Sequence, residues 1–312
     1  MTAILTTTWY GFPAFMLESD EMRVIIVPDL GAKIVSIYDK PHRHEWLVPP
    51  MRAVKQTAFG ADFVSQDMSG WDEMMPTIVS CTVQGVHLPD HGEVWSVPWQ
   101  VESLVGEVSL SVESKLLPYR LKRSAVLSAP DCLELRYTLT HTGTTAIQYL
   151  WAAHPQFAAD AHTCIVLPAE VTQVVNVVAG DAIWGDAGKQ HSWPAARGAD
   201  GRLVSLDRVR SAQQHACRKF YVPAEQPVSS TRLVQEEPGC ELRMTWSTVE
   251  LPYLGLWVDE GVYNANPVAA PEPSTGYYDS LERAIDLGKA TILEPGEEKN
   301  WTLKVILSNW QK

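Results

Sequence analysis

The fold is decided by three consecutive segments, EVSLSVESKL (107–116), YRLKRSAVLS (119–128) and CLELRYTLTHT (132–142). In each segment apolar and polar residues alternate, which is the period of two expected of a β-strand with one buried face. Glycine, proline or aspartate separates the segments, and each is about as long as an ordinary strand. The stretch therefore predicts an antiparallel meander.

The same alternation recurs outward from this stretch. It is visible at 164–178 and 240–248, and WTLKVILSNW (301–310) has the pattern of a closing strand. Residues 22–38, MRVIIVPDLGAKIVSIY, predict a strand, a turn at Pro-Asp-Leu-Gly and a second strand. Between 41 and 70, prolines, glycines and charges interrupt the apolar pattern, so we expect long loops with short strands there.

Helical patterns are confined to two short segments. SLERAIDLG (280–288) predicts a helix that Asp279 or Ser280 caps and Gly288 ends, and ARGADGRLVSL (196–206) is a second candidate. No linker, repeat or low-complexity tract divides the sequence. We therefore predict an all-β fold: a single large antiparallel β-sandwich with a few short helices, forming one domain over residues 1–312.

Composition and charge restrict the possible partners. The chain has 25 basic and 37 acidic residues, a net charge of −12, and no basic cluster longer than RLKR at 120–123. Nucleic acid and anionic membranes are therefore poor partners. Twelve tryptophans favour surfaces that stack against sugar rings, although a large β core also uses many indoles.

The cysteines and the N-terminal sequence suggest a compartment. Five cysteines, an odd number, are widely spaced without a CxxC pattern, which predicts reduced packing residues. MTAILTTTWYGF (1–12) has no basic segment followed by a sustained apolar run, and no stretch approaches the roughly 18 apolar residues of a membrane helix. We expect a soluble, cytoplasmic protein.

One carboxylate has an unusual sequence setting. Glu272 lies between Pro271 and Pro273, ahead of a turn at Ser-Thr-Gly. Both prolines fix φ near −65° and favour extended conformations in the residue before them, so Glu272 should sit on a rigid, non-helical backbone. Such stiffness suits a catalytic base, whereas the alternative is an ordinary surface turn with a solvated glutamate.

Two histidines have contrasting surroundings. His154, in AAHPQF, has apolar neighbours that could hold it neutral or make its protonation depend on a nearby carboxylate. His91, in DHGEVW, is more plainly a loop residue. We expect all three motifs, around His91, His154 and Glu272, to lie in loops outside the alternating strands. A core histidine and a turn histidine are the structural alternatives.

The order of motifs carries a family resemblance. The motifs resemble those of the aldose 1-epimerase, or galactose mutarotase-like, superfamily, and the similarity spans nearly the whole chain. They are GWDEMMPTI (70–78), DHGEVWSVPW (90–99), HPQF (154–157), EPSTGYYDSLERA (272–284) and LEPGEEKNWTL (293–303). The resemblance implies a large β-sandwich in one domain, in agreement with the strand pattern.

The resemblance also implies a reaction. Glu272 matches the catalytic base, His154 the catalytic acid, and His91 the second active-site histidine, which steadies the substrate. The pair would open the ring of an aldose and reclose it as the other anomer, with no metal or organic cofactor. The implied partner is a small monosaccharide, and the protein would be a monomer or homodimer. Independently of the family, ring opening needs a base and an acid at two oxygens, with pKa values near the working pH.

Further residues are candidates for binding the substrate. Carboxylates could accept hydrogen bonds from sugar hydroxyls or cap loops, and an indole could pack on a pyranose ring or in the core. The candidates are Asp72, Glu73, Glu93, Trp257 and Asp259. His42 and His44, in HRH, are weak evidence for a metal because no third ligand is evident.

Other functions remain open at this stage. Glu93 and Glu272 could be the paired carboxylates of a glycoside hydrolase or lyase, and a non-catalytic sugar-binding protein would also fit. The Asn-Arg element of the best-known galactose mutarotases has no clear counterpart between Gln56 and Met75. The substrate is therefore open among galactose, glucose and rarer or modified aldoses. A hexose 6-phosphate would need a cationic grip, for which Arg52 and Lys55 are candidates.

Overall fold

The computed structural model describes residues 3–311, and strands dominate it. Among these residues no helix is both long and apolar enough to span a membrane. The strands of the first half are β1 (Ala3–Trp9), β2 (Phe12–Glu18), β3 (Met22–Val27), β4 (Lys33–Asp39), β5 (His44–Glu45), β6 (Trp71–Met74), β7 (Cys81–Val83), β8 (Val86–Leu88), β9 (Gln100–Ser103), β10 (Val108–Glu113), β11 (Tyr119–Ala129) and β12 (Cys132–His141).

The second half continues in the same way. Its strands are β13 (Ile147–Tyr149), β14 (Ala152–Pro155), β15 (Phe157–Ala158), β16 (Thr163–Val166), β17 (Gln173–Asn176), β18 (Gln190–Ser192), β19 (Ala195–Arg197), β20 (Leu203–Ser205), β21 (Ala216–Tyr221), β22 (Ser230–Gln235), β23 (Cys240–Trp246), β24 (Tyr253–Glu260), β25 (Val268–Ser274), β26 (Thr291–Leu293) and β27 (Glu298–Asn309). One α-helix, α1 (Leu281–Asp286), and short 3-10 turns at Pro28–Leu30, Phe63–Ser65, Val94–Ser96 and Ala212–Gln214 complete the described chain.

Two large antiparallel sheets form the body of the structure. Within residues 3–311, the larger sheet runs in the order β1-β2-β3-β4-β6-β14-β25-β24-β21-β17-β18, with β5 beside β4 and β15 beside β25. The second sheet runs β16-β22-β23-β27-β12-β11-β10-β9. Buried apolar side chains of both sheets form one core, so the predicted all-β sandwich is confirmed.

The second sheet contains the predicted meander. Consecutive strands β9 to β12 pair antiparallel, and the register runs from Tyr119 opposite His141 to Leu127 opposite Leu133. The last strand, β27, lies between β12 and β23, so it joins the two halves of this sheet. Its alternating side chains are buried on one face, as the sequence pattern requires.

The helix predictions had opposite outcomes. The hydroxyl of Ser280 accepts a hydrogen bond from the Arg283 N–H and caps α1, as expected. The helix considered for 196–206 is wrong, because these residues form the hairpin of β19 and β20. Gly198 and Gly201 lie in the turn of this hairpin, where glycine favours a reversal of the chain and disfavours a helix.

Alternation across the larger sheet determines which side chains can form a site. On β6, the Glu73 carboxylate accepts a hydrogen bond from Arg123 of β11, so Glu73 faces the second sheet. Asp72 therefore projects from the opposite face, and so does His154, its cross-strand partner on β14. Loops between the strands cover this outer face at its centre.

Candidate active site

A cavity of about 280 Å³ opens on the outer face of the larger sheet. Strands β14, β25, β24 and β21 form its floor, and loops from distant parts of the chain form its walls. Its lining residues are Phe63, Val64, Met68, Ile78, Val79, Asp90, His91, His154, Val178, Cys217, Lys219, Trp257, Tyr263, Glu272 and Asp279.

The register of the strands sets His154 opposite Glu272. The pairs Ala152 with Ser274 and Phe157 with Ala269 belong to one antiparallel register, and His154 and Glu272 fall between them. This part of the ladder is interrupted, whereas β25 pairs with β24 along its whole length. Pro271 and Pro273 have no N–H to donate, and both lie in the interruption. The missing proline N–H groups account for the interrupted pairing beside His154 and Glu272.

The predicted backbone of Glu272 is confirmed in part. Glu272 is extended, as its flanking prolines require, but it lies on β25 and is 1% exposed. His154 likewise lies on β14 and is buried. The expectation that both motifs lie in loops is wrong for these two residues, because the short strands beside the interruption carry them. His91 alone of the three lies in a loop.

The side chains of His154 and Glu272 approach each other where the strand pairing is interrupted. His154 Nε2 lies 3.9 Å from Glu272 Oε1. Burial raises the pKa of Glu272 to about 7, although Lys219 opposes this and Asp279 adds to it. Burial, together with the charges of His91 and Lys219, holds the pKa of His154 well below its usual value. These shifts reverse the ordinary order of the two pKa values, so a single proton on the pair rests mainly on Glu272 near neutral pH. Acid–base chemistry at this site depends on passing that proton between the two groups.

Lys219 is the cation beside Glu272. Its ammonium group donates a hydrogen bond to Glu272 Oε2 and lies 3.3 Å from Asp279 Oδ1. The two acidic neighbours outweigh the effect of burial and raise the pKa of Lys219 to about 12, so this group stays charged. Tyr221 completes the network by donating a 2.8 Å hydrogen bond to Asp279 Oδ1.

Gly255 makes the contact between Lys219 and Glu272 possible. Lys219 is on β21 and Glu272 on β25, so β24 lies between them. Gly255 of β24 pairs with Tyr221 on one side and Glu272 on the other. A Cβ atom at Gly255 would lie 3.1 Å from Tyr221 Cζ and 3.3 Å from Glu272 Oε2. The missing side chain leaves the space that Lys219 crosses diagonally.

The His91 loop depends on a neighbouring glycine. Gly92 has φ +70°, and a Cβ there would lie 2.0 Å from the Met75 carbonyl oxygen. The His91 N–H donates a 2.5 Å hydrogen bond to the Ile78 carbonyl, which fixes the loop against residues 75–79. Only glycine permits this close approach.

The His91 ring is held from two sides. It stacks on Phe63 with ring centroids 3.9 Å apart, and its Nδ1 lies 3.0 Å from Asp90 Oδ2. Although burial raises the pKa of Asp90, the contact with His91 lowers it below the ordinary value. The centroid of the His154 ring lies 5.1 Å away, so both histidines line the same cavity.

Trp257 is the predicted aromatic residue that reaches the cavity. Its ring meets that of His154 edge-on at a centroid distance of 5.8 Å, and its Nε1 donates to the Cys217 sulfur at 3.1 Å. Burial raises the pKa of Cys217 to about 12, so it is a thiol. All five cysteines are free, as predicted.

Two predicted ligands on β6 point elsewhere. Asp72 does not line the cavity; its Oδ2 lies 3.3 Å from Lys33 Nζ, and burial raises its pKa to about 7. Glu73 faces the core, where it accepts hydrogen bonds from Arg123, Tyr137 and Trp151 at 2.7, 2.9 and 3.0 Å. The prediction that they bind sugar hydroxyls is not supported, since both carboxylates hold the sheets and strands together.

Two further predicted ligands support loops. Glu93 accepts hydrogen bonds from the Ser114 hydroxyl, the Lys115 N–H and the Tyr119 hydroxyl, which tie the His91 loop to the second sheet. Asp259 accepts from the backbone N–H groups of the turn 262–264. Neither lines the cavity, so their assignment to substrate binding is corrected.

The candidate phosphate-binding cations are also outside the cavity lining. Arg52 donates to the Gln66 carbonyl at 3.0 Å, and Lys55 lines a separate, much smaller recess. The cationic grip expected from these two residues is therefore not found at the site. The cation that the cavity does contain is Lys219.

One cluster resembles a metal site in composition. Ligand atoms of Asp39, His42 and Cys240 lie within 4.8 Å of one another. His42 already faces Asp39 at 2.9 Å and the Asn309 side-chain oxygen at 2.8 Å. Burial raises the pKa of Cys240 to about 12, so its sulfur is a thiol. His42, in the turn after β4, thus links Asp39 of β4 to Asn309 at the end of β27.

Sequence reasoning missed three contributors to the site. Lys219 lies in an ordinary strand, Phe63 begins a 3-10 turn in a segment without a periodic pattern, and the sequence indicates Asp279 only as a helix cap. Gly255 within the apolar run LGLWV was the available signal, because a glycine inside a strand often marks a close approach. It did not indicate which residues would approach.

The fold is shared with solved galactose mutarotase-like proteins. The galactose mutarotase related enzyme of Lactobacillus acidophilus superposes with a TM-score of 0.69 at 15% identity, covering 96% of this chain and 99% of that one. A galactose mutarotase-like protein of Lactobacillus casei gives 0.67 at 16% identity, covering 98% and 100%. One from Clostridium acetobutylicum gives 0.66 at 13% identity, covering 99% of both chains. The chain therefore has the galactose mutarotase-like fold.

Sequence comparisons add no further assignment. No protein-family model and no curated protein matches this chain. The resemblance inferred from the motif order is confirmed as a resemblance of fold.

Proposed function

We propose that this protein is an aldose 1-epimerase, an isomerase that interconverts the α and β anomers of a monosaccharide. The observation that carries the proposal is the pair Glu272 and His154, 3.9 Å apart on the floor of an open cavity. The cavity volume of about 280 Å³ is just below the roughly 300–1,000 Å³ typical of sites for larger ligands, which favours a single sugar ring.

The reaction would proceed by ring opening. Glu272 removes the proton of the anomeric hydroxyl, the electron pair of that O–H bond forms the C1 carbonyl, and the bond from C1 to the ring oxygen breaks. His154, in the form of the pair in which it holds the proton and Glu272 is ionised, delivers that proton to the ring oxygen. Rotation about the C1–C2 bond then presents the other face of the aldehyde, and the reverse transfers close the ring as the other anomer. Besides the bond between C1 and the ring oxygen, which breaks and re-forms, these steps move only protons, so the reaction needs no electron donor or acceptor.

His91 and Trp257 are assigned to holding the sugar. His91 is fixed by its stacking on Phe63 and its contact with Asp90, so its remaining ring edge is available to a hydroxyl. Trp257 lines the cavity with an indole, a group against which the C–H groups of a pyranose pack well. Both residues border His154, which keeps the reacting atoms and the binding groups in one small space.

Lys219 and Asp279 are assigned to controlling Glu272. The Lys219 charge favours the ionised carboxylate, whereas burial and Asp279 oppose ionisation. This balance keeps Glu272 able to accept and release a proton within a narrow pH range. The same hydrogen bond fixes Glu272 Oε2 and leaves Oε1 on the side of His154.

Other properties remain part of the proposal. We expect one domain over residues 1–312, a monomer or homodimer, and a cytoplasmic location, which the free cysteines support. A glycoside hydrolase using Glu93 with Glu272 is disfavoured because Glu93 already accepts hydrogen bonds from Ser114 and Lys115, which hold the His91 loop in place. Galactose and glucose remain candidate substrates.

The direct test is NMR saturation transfer between the two anomers of a sugar. The panel is glucose, galactose, xylose, rhamnose, fucose, glucose 6-phosphate and sulfoquinovose, and the spontaneous rate is subtracted. We expect accelerated exchange for at least one member. The Glu272→Gln variant should lose about 10²- to 10⁴-fold of that acceleration, the range typical of an acid–base group.

The matched control is Glu282→Gln, the same chemical change at an exposed glutamate of α1. It should retain the wild-type rate. A Glu272→Gln protein that is as active as this control would remove the proposed base. Binding without accelerated exchange across the whole panel would favour a non-catalytic sugar-binding protein.

A further inference from the structure

The rim of the cavity is apolar and exposed to solvent. Val64, Val79, Val178 and Tyr263 all line it, and each is between 37% and 43% exposed. They come from four separate segments of the chain that converge at one opening. Exposed apolar side chains are ordinarily scattered singly, and a contiguous group around a cleft marks a ligand site.

The walls below the rim are apolar too. Phe63, Met68 and Ile78 line the cavity from loops beside the floor and are buried. The polar side chains of the lining are mostly ionisable groups, and among the described residues it contains no Asn, Gln, Ser, Thr or Arg. Neutral amides and hydroxyls are common partners for ligand hydroxyls. Polar recognition is therefore concentrated near the reacting end of the substrate.

This division has a consequence for a bound sugar. When C1 and the ring oxygen lie at Glu272 and His154, other carbons of the sugar face the apolar wall and rim. A hydroxyl placed against the buried part of the wall, at Phe63, Met68 and Ile78, loses its hydrogen bonds to water without gaining a partner. A methyl group in the same place removes apolar surface from water, which is favourable.

We propose that the preferred substrate is a deoxy aldose, in particular a 6-deoxy sugar whose methyl group packs against the apolar part of the cavity. This inference rests on the proposed function, because it takes the anomeric centre to lie at Glu272 and His154. The occupant is a free reducing sugar, because the anomeric hydroxyl must be available for the reaction.

The test compares sugars that differ only at C6. The matched pairs are D-fucose with D-galactose, D-quinovose with D-glucose, and L-rhamnose with L-mannose, each measured by saturation transfer between anomers. We expect kcat/KM to favour the 6-deoxy member of at least one pair by about 10- to 100-fold, the usual discrimination by an apolar pocket. Equal values in every active pair, or a preference for the hydroxymethyl sugar, would overturn the proposal.

Rim variants connect the preference to the structure. Val79→Asn and Val178→Asn add an amide to the rim and leave the floor residues in place. Each should reduce the ratio of kcat/KM between the deoxy and hydroxylated sugars, chiefly through KM. The control is Val249→Asn, a change at an 85% exposed valine outside the cavity lining, which should leave the ratio unchanged. If both rim variants leave the ratio of kcat/KM between the deoxy and hydroxylated sugars unchanged, the methyl group does not pack against this side of the cavity.

The two proposals fail in different ways. No exchange for any sugar would contradict the proposed function. Fast exchange of both members of each pair, abolished in Glu272→Gln, would support the proposed function while refuting the deoxy-sugar preference.

Discussion

Lys219 donates a hydrogen bond to Glu272 across the intervening strand β24. Both groups are buried beside the cavity, and Asp279 lies 3.3 Å from the same ammonium group. A lone buried carboxylate would be strongly disfavoured as an ion, so this cation decides whether Glu272 can act as a base at all.

The first prediction concerns the removal of that cation. Lys219→Met should raise the pKa of Glu272 further, since burial and Asp279 would then act unopposed. The alkaline limb of the pH–rate profile should move to higher pH, and kcat should fall by up to about 10²-fold as Glu272 loses its fixed position. The measurement is the pH dependence of anomer exchange by NMR.

Two companion variants separate charge from folding. Lys219→Arg keeps the positive charge and should move the profile less than Lys219→Met does. Lys219→Met combined with Asp279→Asn removes the second acid and should return the limb toward its original position. If Lys219→Met lowers activity without moving the profile, the proposed control of Glu272 by charge is wrong.

The second prediction is the shape of the wild-type profile. The pKa of Glu272 is raised to about 7 and that of His154 is lowered, so the pair holds one proton in the window between them. That proton rests mainly on Glu272, and the reactive form is the minor one in which His154 holds it. At lower pH the pair gains a second proton and has no base, and above about 7 it loses the shared proton and has no acid. We expect a bell-shaped dependence of kcat/KM on pH. Its two apparent pKa values describe the coupled pair and not either residue alone.

A rate that keeps rising above neutral pH, after the spontaneous reaction has been subtracted, would contradict this pairing. Inactive Glu272→Gln supplies the background at each pH, because it keeps the same fold without the titrating carboxyl group.

The third prediction concerns the space at Gly255. A Cβ there would lie 3.3 Å from Glu272 Oε2 and 3.1 Å from Tyr221 Cζ, so both side chains must move. Gly255→Ala should lower kcat by about 10-fold or more, and Gly255→Val should lower it further, because the carboxylate is displaced from its productive position. Steady-state exchange rates together with thermal unfolding check this. Two variants that are stable and fully active would show that the spacing is unimportant.

The fourth prediction concerns stability away from the site. Arg123 and Glu73 form a buried ion pair between the two sheets, with donor and acceptor 2.7 Å apart. Arg123→Met leaves the carboxylate without its cation and should lower the free energy of unfolding by about 3–5 kcal/mol. Urea titration measures this loss.

The control for that prediction is the double variant Glu73→Gln with Arg123→Met. It removes the charge of both partners and should recover part of the lost stability. If the single variant is as stable as the wild type, the ion pair does not join the sheets as described.

Much of the fold could be predicted because the strands have one buried face. Alternation in β10, β11 and β12 identifies the meander, and Ser280 marks the start of α1. The hairpin at 196–206 was missed because its two strands have three residues each, too short to show a period. The order of strands in the larger sheet depends on long-range pairing, which local patterns do not contain.

The site was predictable in part for a similar reason. The proline-flanked Glu272, together with His154 and His91, was distinguishable by sequence context, and these three side chains line one cavity. An acidic residue in a polar motif could not be identified from sequence as either a substrate ligand or a structural carboxylate. Glu73, Glu93 and Asp259 are structural, because each accepts hydrogen bonds from other residues of the fold. Lys219 had no local signal because its role arises only across β24.

The measurement that tests the central claim most directly is a double-mutant cycle on Glu272 and His154, read out as anomer exchange of the best sugar in the panel. Because base and acid act in one concerted exchange of protons, each of Glu272→Gln and His154→Gln should lose about 10²- to 10⁴-fold in kcat. The double variant should then lose little more than the worse single variant. Full activity of Glu272→Gln, or losses that multiply in the double variant, would contradict the account.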